Sequence, residues 1–165
     1  MSSRTHIHDT EGRNIASGHR YRIRLVGATG ELALTDLMVG NTGKPYIAVV
    51  PAFSGSLFSI DDSAWRDKSQ IQLRGEFRRT RRDAFQTLYI AWQNNQPTAV
   101  TAPESDGGFF GVRGTHNTVF LARSSSRGMS ITYPGTISPT YLVSDDQNGL
   151  IEVEFVRQPT LEPAT

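Results

Sequence analysis

The sequence contains no cysteine. That excludes a disulfide scaffold, a thiol nucleophile and a cysteine-based zinc site. A surplus of one charge is also missing. Seventeen Lys and Arg stand against 16 Asp and Glu, a net charge of +1. General nucleic-acid binding is not expected from this balance, because neutralising phosphates takes a broad basic face. No stretch approaches the apolar length of a spanning helix, so no membrane partner is expected. Residues Met1 to His6 lack the apolar run of a secretory signal, and a cytoplasmic location is the expectation. What is present suffices for one hydrophobic core. The 165 residues are one domain's worth, and eight Phe, five Tyr and two Trp set the chain apart from a disordered one.

The chain repeats itself. Pro45-Tyr-Ile-Ala-Val-Val-Pro51 recurs as Pro97-Thr-Ala-Val-Thr-Ala-Pro103, at an offset of 52. At that offset Gly55 maps to Gly107, Phe58 to Phe110 and Ile60 to Val112. A weaker third copy runs from Pro139-Thr-Tyr-Leu-Val-Ser144 through Gly149 to Ile151–Val156. Two further strands precede each anchor. Tyr21–Leu25 alternates apolar and charged residues, as a half-buried strand does. Its counterparts are Gln70–Arg74 and Thr118–Ala122. The second strands are Glu31–Leu34, Thr87–Trp92 and Met129–Tyr133, with glycine or proline at the joints.

Three units of four short strands leave no room for a parallel sheet with crossover helices. The one helical candidate, Arg78–Gln86, has neither a clean cap nor an apolar stripe. Three blades are too few to close a propeller. The expectation is an all-β fold, a β-trefoil of three four-stranded repeats: a six-stranded barrel capped by three hairpins. Residues 1–17 are expected as an N-terminal tail. The single domain then spans 18–158, in units of about 18–62, 63–114 and 115–158, and 159–165 form a C-terminal tail. Phe58, Phe110, Phe155, Ile23, Leu25, Leu73 and Val119 are the expected barrel core.

The opening Gly18-His-Arg-Tyr-Arg-Ile-Arg24, the glycine-rich joint, the Pro45-framed strand and the Phe58 strand resemble a β-trefoil opening unit. Over roughly residues 18–157 the layout is similar to the fungal trefoil protease inhibitors, the mycocypins and their serine-protease-inhibiting relatives. It resembles plant Kunitz-type inhibitors more distantly, and ricin-B-type lectins share the fold. Those lectins usually end each unit in Gln-x-Trp. Here the matching segments read Leu57-Phe58-Ser59, Phe109-Phe110-Gly111 and Val153-Glu154-Phe155. Plant Kunitz-type inhibitors usually carry disulfides, so the missing cysteines favour a fungal-type relative. The resemblance implies a non-catalytic protein that binds through its loops. Protease inhibition leads, and a carbohydrate-binding lectin is the alternative.

The candidate residues follow from that reading. A protease-binding loop needs an exposed basic side chain on an extended, rigid segment. Lys44, directly before Pro45, offers one; Trp65 and Arg66, between units one and two, offer a second. The third is the arginine-rich loop of unit two, with Arg78, Arg79, Arg81 and Arg82. That loop would equally suit a polyanion or an acidic protein partner. A sugar site would need an acid, an aromatic ring and amides, and Asp36, Trp92, Asn94 and Asn95 are available. Catalysis finds little support: no nucleophile elbow or triad motif stands near His19 or His116. His6 and His8 are spaced for one side of a strand, but they sit in a polar segment and no metal or other cofactor is expected.

Overall fold

The computed structural model describes residues 8–16, 18–27, 29–35, 45–51, 55–60, 70–71, 73–78, 80–93, 96–100, 109–113, 118–122, 128–132, 140–145 and 151–159. Among the described residues thirteen strands run in chain order: β1 Tyr21–Leu25, β2 Glu31–Thr35, β3 Tyr46–Val50, β4 Phe58–Ile60, β5 Gln70–Ile71, β6 Leu73–Phe77, β7 Gln86–Gln93, β8 Gln96–Val100, β9 Phe109–Arg113, β10 Thr118–Ala122, β11 Gly128–Thr132, β12 Thr140–Asp145 and β13 Ile151–Arg157. Every pairing between them is antiparallel.

The pairings close a ring. The path β6–β4–β1–β13–β10–β9–β5 leads back to its start, because β5 and β6 are consecutive along the chain. Counting β5 and β6 as one strand gives a six-stranded barrel, which has no free edge to cover. The remaining strands form the hairpins β2–β3, β7–β8 and β11–β12. These meet one another where β3 pairs with β8 and β12. This is a β-trefoil. β3 and β8 carry the Pro45 and Pro97 anchors, and they touch at Tyr46↔Thr98.

Alternation places the core. Tyr21, Ile23 and Leu25 of β1 are buried while Arg22 and Arg24 are only partly so. The inward set continues with Phe58 and Ile60, Leu73, Val119 and Leu121, then Val153 and Phe155. Phe155 meets Tyr21 edge to face, with ring centroids 5.9 Å apart. All the expected core residues but one are buried; the Phe110 side chain lies outside the described ones. The outward arginines find acids: Arg24 Nη2 lies 2.8 Å from Glu154 Oε1, across the β1–β13 pair.

Three local expectations change. The first strand of unit two continues past Arg74 to Phe77, because Leu73, Gly75 and Phe77 keep the inward alternation while Glu76 faces outward. The helical candidate 78–86 is no helix over its described residues: Gln86 opens β7 and the residues before it connect β6 to β7. Finally, residues 8–16 are no tail. Asp9 is fully buried, and Ile15 joins the core. Asp9 Oδ1 accepts the amide N–H groups of Glu11 at 2.9 Å and Arg13 at 3.0 Å. The turn passes through Gly12 at φ 84°, which an L side chain rarely adopts. Thr10 N–H then donates to Phe155 O at 3.0 Å, and Ala16 N–H to the Tyr21 hydroxyl at 3.2 Å. The segment docks with the buried Asp9 carboxylate paired inside its own turn and Thr10 N–H paired with β13, while His8 Nδ1 is buried without a hydrogen-bond partner among the described residues.

Candidate binding loops

Residues 61–69, with Trp65 and Arg66, lie outside the described residues. The strands that deliver them do not. β4 ends at Ile60, which is opposite Leu73, and both side chains are fully buried. Arg74 Nη2 donates to the Ile60 carbonyl at 3.2 Å, fixing the last peptide before the loop. On the far side β5 resumes in register with β9, Gln70 opposite Phe110 and Ile71 opposite Phe109.

The approach to β4 is latched as well. Ser56 N–H donates to Leu32 O at 3.2 Å, and Ser56 Oγ accepts Leu34 N–H at 2.9 Å. Glu76 N–H donates to Leu57 O at 2.9 Å. Gly55 sits so close to β2 that an added Cβ would lie 2.5 Å from Glu31 Oε1 and 2.9 Å from Leu32 O. Glu31 is a fully buried carboxylate, 3.5 Å from the Arg22 guanidinium. Nothing in the β2 sequence marks it, since its position is set by the approach of residues 55–57 from another part of the chain.

The arginine-rich loop is described apart from Arg79. Phe77 pairs with Gln86, so residues 78–85 bridge β6 and β7. Asp83 N–H donates to Thr80 O at 3.1 Å, closing a β-turn with Arg81 and Arg82 at its centre. Both ends of the turn are tied by side chains: Asp83 Oδ2 accepts Thr80 N–H at 3.2 Å, and Thr80 Oγ1 accepts Arg82 N–H at 3.3 Å. The Arg78 guanidinium stacks on Phe85, 4.3 Å from the ring centroid, and donates to Arg81 O at 3.3 Å. The tip is therefore ordered but folded back on itself. A protease cleft takes a substrate-like segment in extended form, and Arg81 and Arg82 are not presented that way.

The sugar-site residues are not assembled by what is described. Trp92 is 4% exposed and part of the core cluster, so its ring offers no face to a pyranose. Its position follows the alternation of β7, where Leu88, Ile90 and Trp92 all turn inward. Asp36, Lys44, Asn94 and Asn95 lie outside the described residues. His19 is engaged by Arg157, whose Nη2 lies 2.7 Å from Nδ1. Beside it a polar cleft of about 260 Å³ holds Arg20 and Glu76, which pair at 3.3 Å. No group of three metal-ligating side chains occurs among the described residues.

No family model and no curated protein matches the sequence. Solved structures do match. The soybean trypsin inhibitor, in its complex with porcine pancreatic trypsin, superposes with a TM-score of 0.66 at 18% identity, over 93% of this chain and 99% of the inhibitor. The bifunctional α-amylase/subtilisin inhibitor of rice, Oryza sativa, gives 0.64 at 14% identity, over 92% and 98%. The water-soluble chlorophyll protein of Brassica oleracea gives 0.63 at 16% identity, over 93% and 99%. At such identities the likeness is one of architecture: the chain shares the β-trefoil of these proteins, nearly end to end.

Proposed function

We propose that the protein is a non-catalytic protease inhibitor that acts through residues 61–69, with Arg66 entering the primary specificity pocket of a trypsin-like protease. The observation that carries this reading is the frame beneath the segment. A substrate-like loop binds tightly when little freedom remains to be lost on binding. Here the Ile60 carbonyl is held by Arg74, and β5 is paired immediately beyond the loop. Several proteins of the same architecture are protease inhibitors, two of them in complex with trypsin. Arg66 supplies the cation that an acid-floored pocket takes, and Trp65 beside it supplies apolar contact area. Were the loop cut, its two ends would remain attached to paired strands, which holds the new termini together and opposes product release.

The test is a titration of trypsin and of a papain-like protease with the purified chain. Trypsin is expected to be inhibited at submicromolar concentration, with loss of at least a hundredfold in Arg66→Ala and little change in Lys44→Ala. Absence of trypsin inhibition at micromolar protein would overturn the proposal, whatever the papain-like protease does. Inhibition retained in Arg66→Ala and lost in Lys44→Ala would move the contact to the β2–β3 connection.

A further inference from the structure

The tip of the β6–β7 hairpin has no part in that proposal, and it is unusual in three ways. It holds Arg78, Arg81 and Arg82, all exposed, with Arg79 beside them in sequence. Among the described residues no carboxylate lies within 4 Å of these three guanidinium groups. The one acid in the turn, Asp83, spends its Oδ2 on a backbone N–H. Phe85 is 56% exposed and is the one exposed large hydrophobic side chain among the described residues. Arg13 in the N-terminal turn pairs with Asp9, Arg20 before β1 with Glu76, and Arg22 and Arg24 of β1 with Glu31 and Glu154. Arg74 and Arg157, which like the tip have no carboxylate within 4 Å among the described residues, are only partly exposed and engage the Ile60 carbonyl and His19. The hairpin tip leaves its charges uncompensated, and three turn hydrogen bonds keep them together.

We propose that this tip is a second binding surface, for an acidic segment of a protein partner that carries an apolar residue between its carboxylates. The guanidinium fork matches a carboxylate bidentately. Arginine beside an exposed aromatic ring is the composition of an interface anchor rather than of a solvated surface. Phe85 distinguishes an acidic peptide from a bare polyanion, since a polyphosphate or sulfated chain gains nothing from a phenyl ring already covered on one face by Arg78. The patch is also one hairpin wide on a chain of net charge +1, which does not suit a duplex nucleic acid. The location makes the surface independent of residues 61–69. β6 begins at Leu73, next to Ile60, and runs away from it to Phe77. Four strand steps, about 13 Å, separate the two ends of β6, so the tip leaves the barrel at the other end of that strand from Ile60.

The experiment uses the full chain and a fluorescein-labelled peptide of glutamates flanking two leucines, read by anisotropy. The wild type is expected to bind it, and Arg81→Glu with Arg82→Glu to weaken binding more than tenfold. Phe85→Ser, or a peptide with alanine in place of leucine, is expected to weaken it about fivefold. Thermal unfolding of the variants checks that the fold is kept, which the exposure of all three positions favours. No binding at millimolar peptide, or binding unchanged by the charge reversal, overturns the proposal. So does tighter binding of a heparin oligosaccharide or an RNA hairpin that ignores Phe85→Ser. Trypsin inhibition by the charge-reversed variant, unchanged from wild type, separates this surface from the loop at 61–69.

Discussion

Removing the Asp9 carboxylate tests whether residues 8–16 belong to the folded domain. In Asp9→Ala two amide N–H groups, those of Glu11 and Arg13, lose their acceptor on a fully buried side chain. An orphaned buried donor costs roughly 1–3 kcal/mol, and less where water reaches it. Both donors are partly reachable, so the lower figure applies to each and the sum is about 2 kcal/mol. The ion pair to Arg13 Nε adds little, because that side chain is 46% exposed. For a chain of this size, 1 kcal/mol moves Tm by about 2–4 °C; Asp9→Ala is expected to lower it by about 4–8 °C. Asp9→Asn keeps an acceptor oxygen and should lose about half as much. Arg13→Ala should lose under about 0.5 kcal/mol. Urea unfolding gives the free energies, and amide exchange at Thr10 gives the locality, because that N–H is bonded to Phe155 O. Asp9→Ala within about 0.3 kcal/mol of wild type would refute the docking, as would fast Thr10 exchange in the wild type.

Other outcomes follow from the same geometry. Burial pushes the Tyr21 hydroxyl above its ordinary 10.0, against the opposing hydrogen bond from Ala16 and the charge of Arg157. Its contribution is therefore whole below about pH 10 and lost as pH rises through the raised folded value, since the unfolded chain ionises first. Urea midpoints at pH 8 and pH 11 should fall further in the wild type than in Tyr21→Phe; equal falls would refute this. Gly55→Ala should cost about 1–3 kcal/mol by overpacking against Glu31 and the Leu32 carbonyl, and a raised Tm would contradict that close approach. Arg74→Met, which frees the Ile60 carbonyl, should weaken trypsin inhibition about five- to tenfold while Tm changes by no more than a few degrees. Unchanged inhibition would show that the clamp does not stiffen the loop. Trp92→Ala should cost about 3–5 kcal/mol as a core cavity, measurable by urea unfolding, and a neutral result would contradict its burial.

Strand placement was legible because it rests on local alternation. Tyr21–Leu25 and Thr118–Ala122 are strands at the expected bounds, and Pro45 directly precedes β3 while Pro97 lies within β8. What was not legible depends on distant parts of the chain. Asp9 reads as one polar residue among many, and its turn finds a place to dock only on distant partners, the Phe155 carbonyl of β13, the Tyr21 hydroxyl and the core that Ile15 joins. The Asp9-x-Glu11-Gly12 spacing is a turn signal that was open to reading. Trp92 looked available for a ligand because a tryptophan before two asparagines suits a sugar. The two-residue period of β7 already turned it toward the core beside Ile90. For the loops, composition marks the arginine cluster but not its shape. Its folded-back shape rests on the Thr80 and Asp83 side chains, a local Thr-x-x-Asp turn signal that the loop's arginine content overshadows.

The barrel is closed by its first and last strands, β1 against β13, over five residue pairs from Tyr21↔Arg157 to Leu25↔Val153. This has a consequence during synthesis. The end of β1 and the start of β13 are separated by about 125 residues, which a ribosome making 5–20 residues per second adds in roughly 6–25 s. Throughout that interval Tyr21, Ile23 and Leu25 lack the partner that seals them, and no covalent crosslink can hold an early intermediate. Such first-to-last pairing is slow to form, since the whole loop must be ordered before the contact repays it. Until β13 emerges, the inward face of β1 is apolar surface that the nascent chain leaves uncovered by its final neighbour.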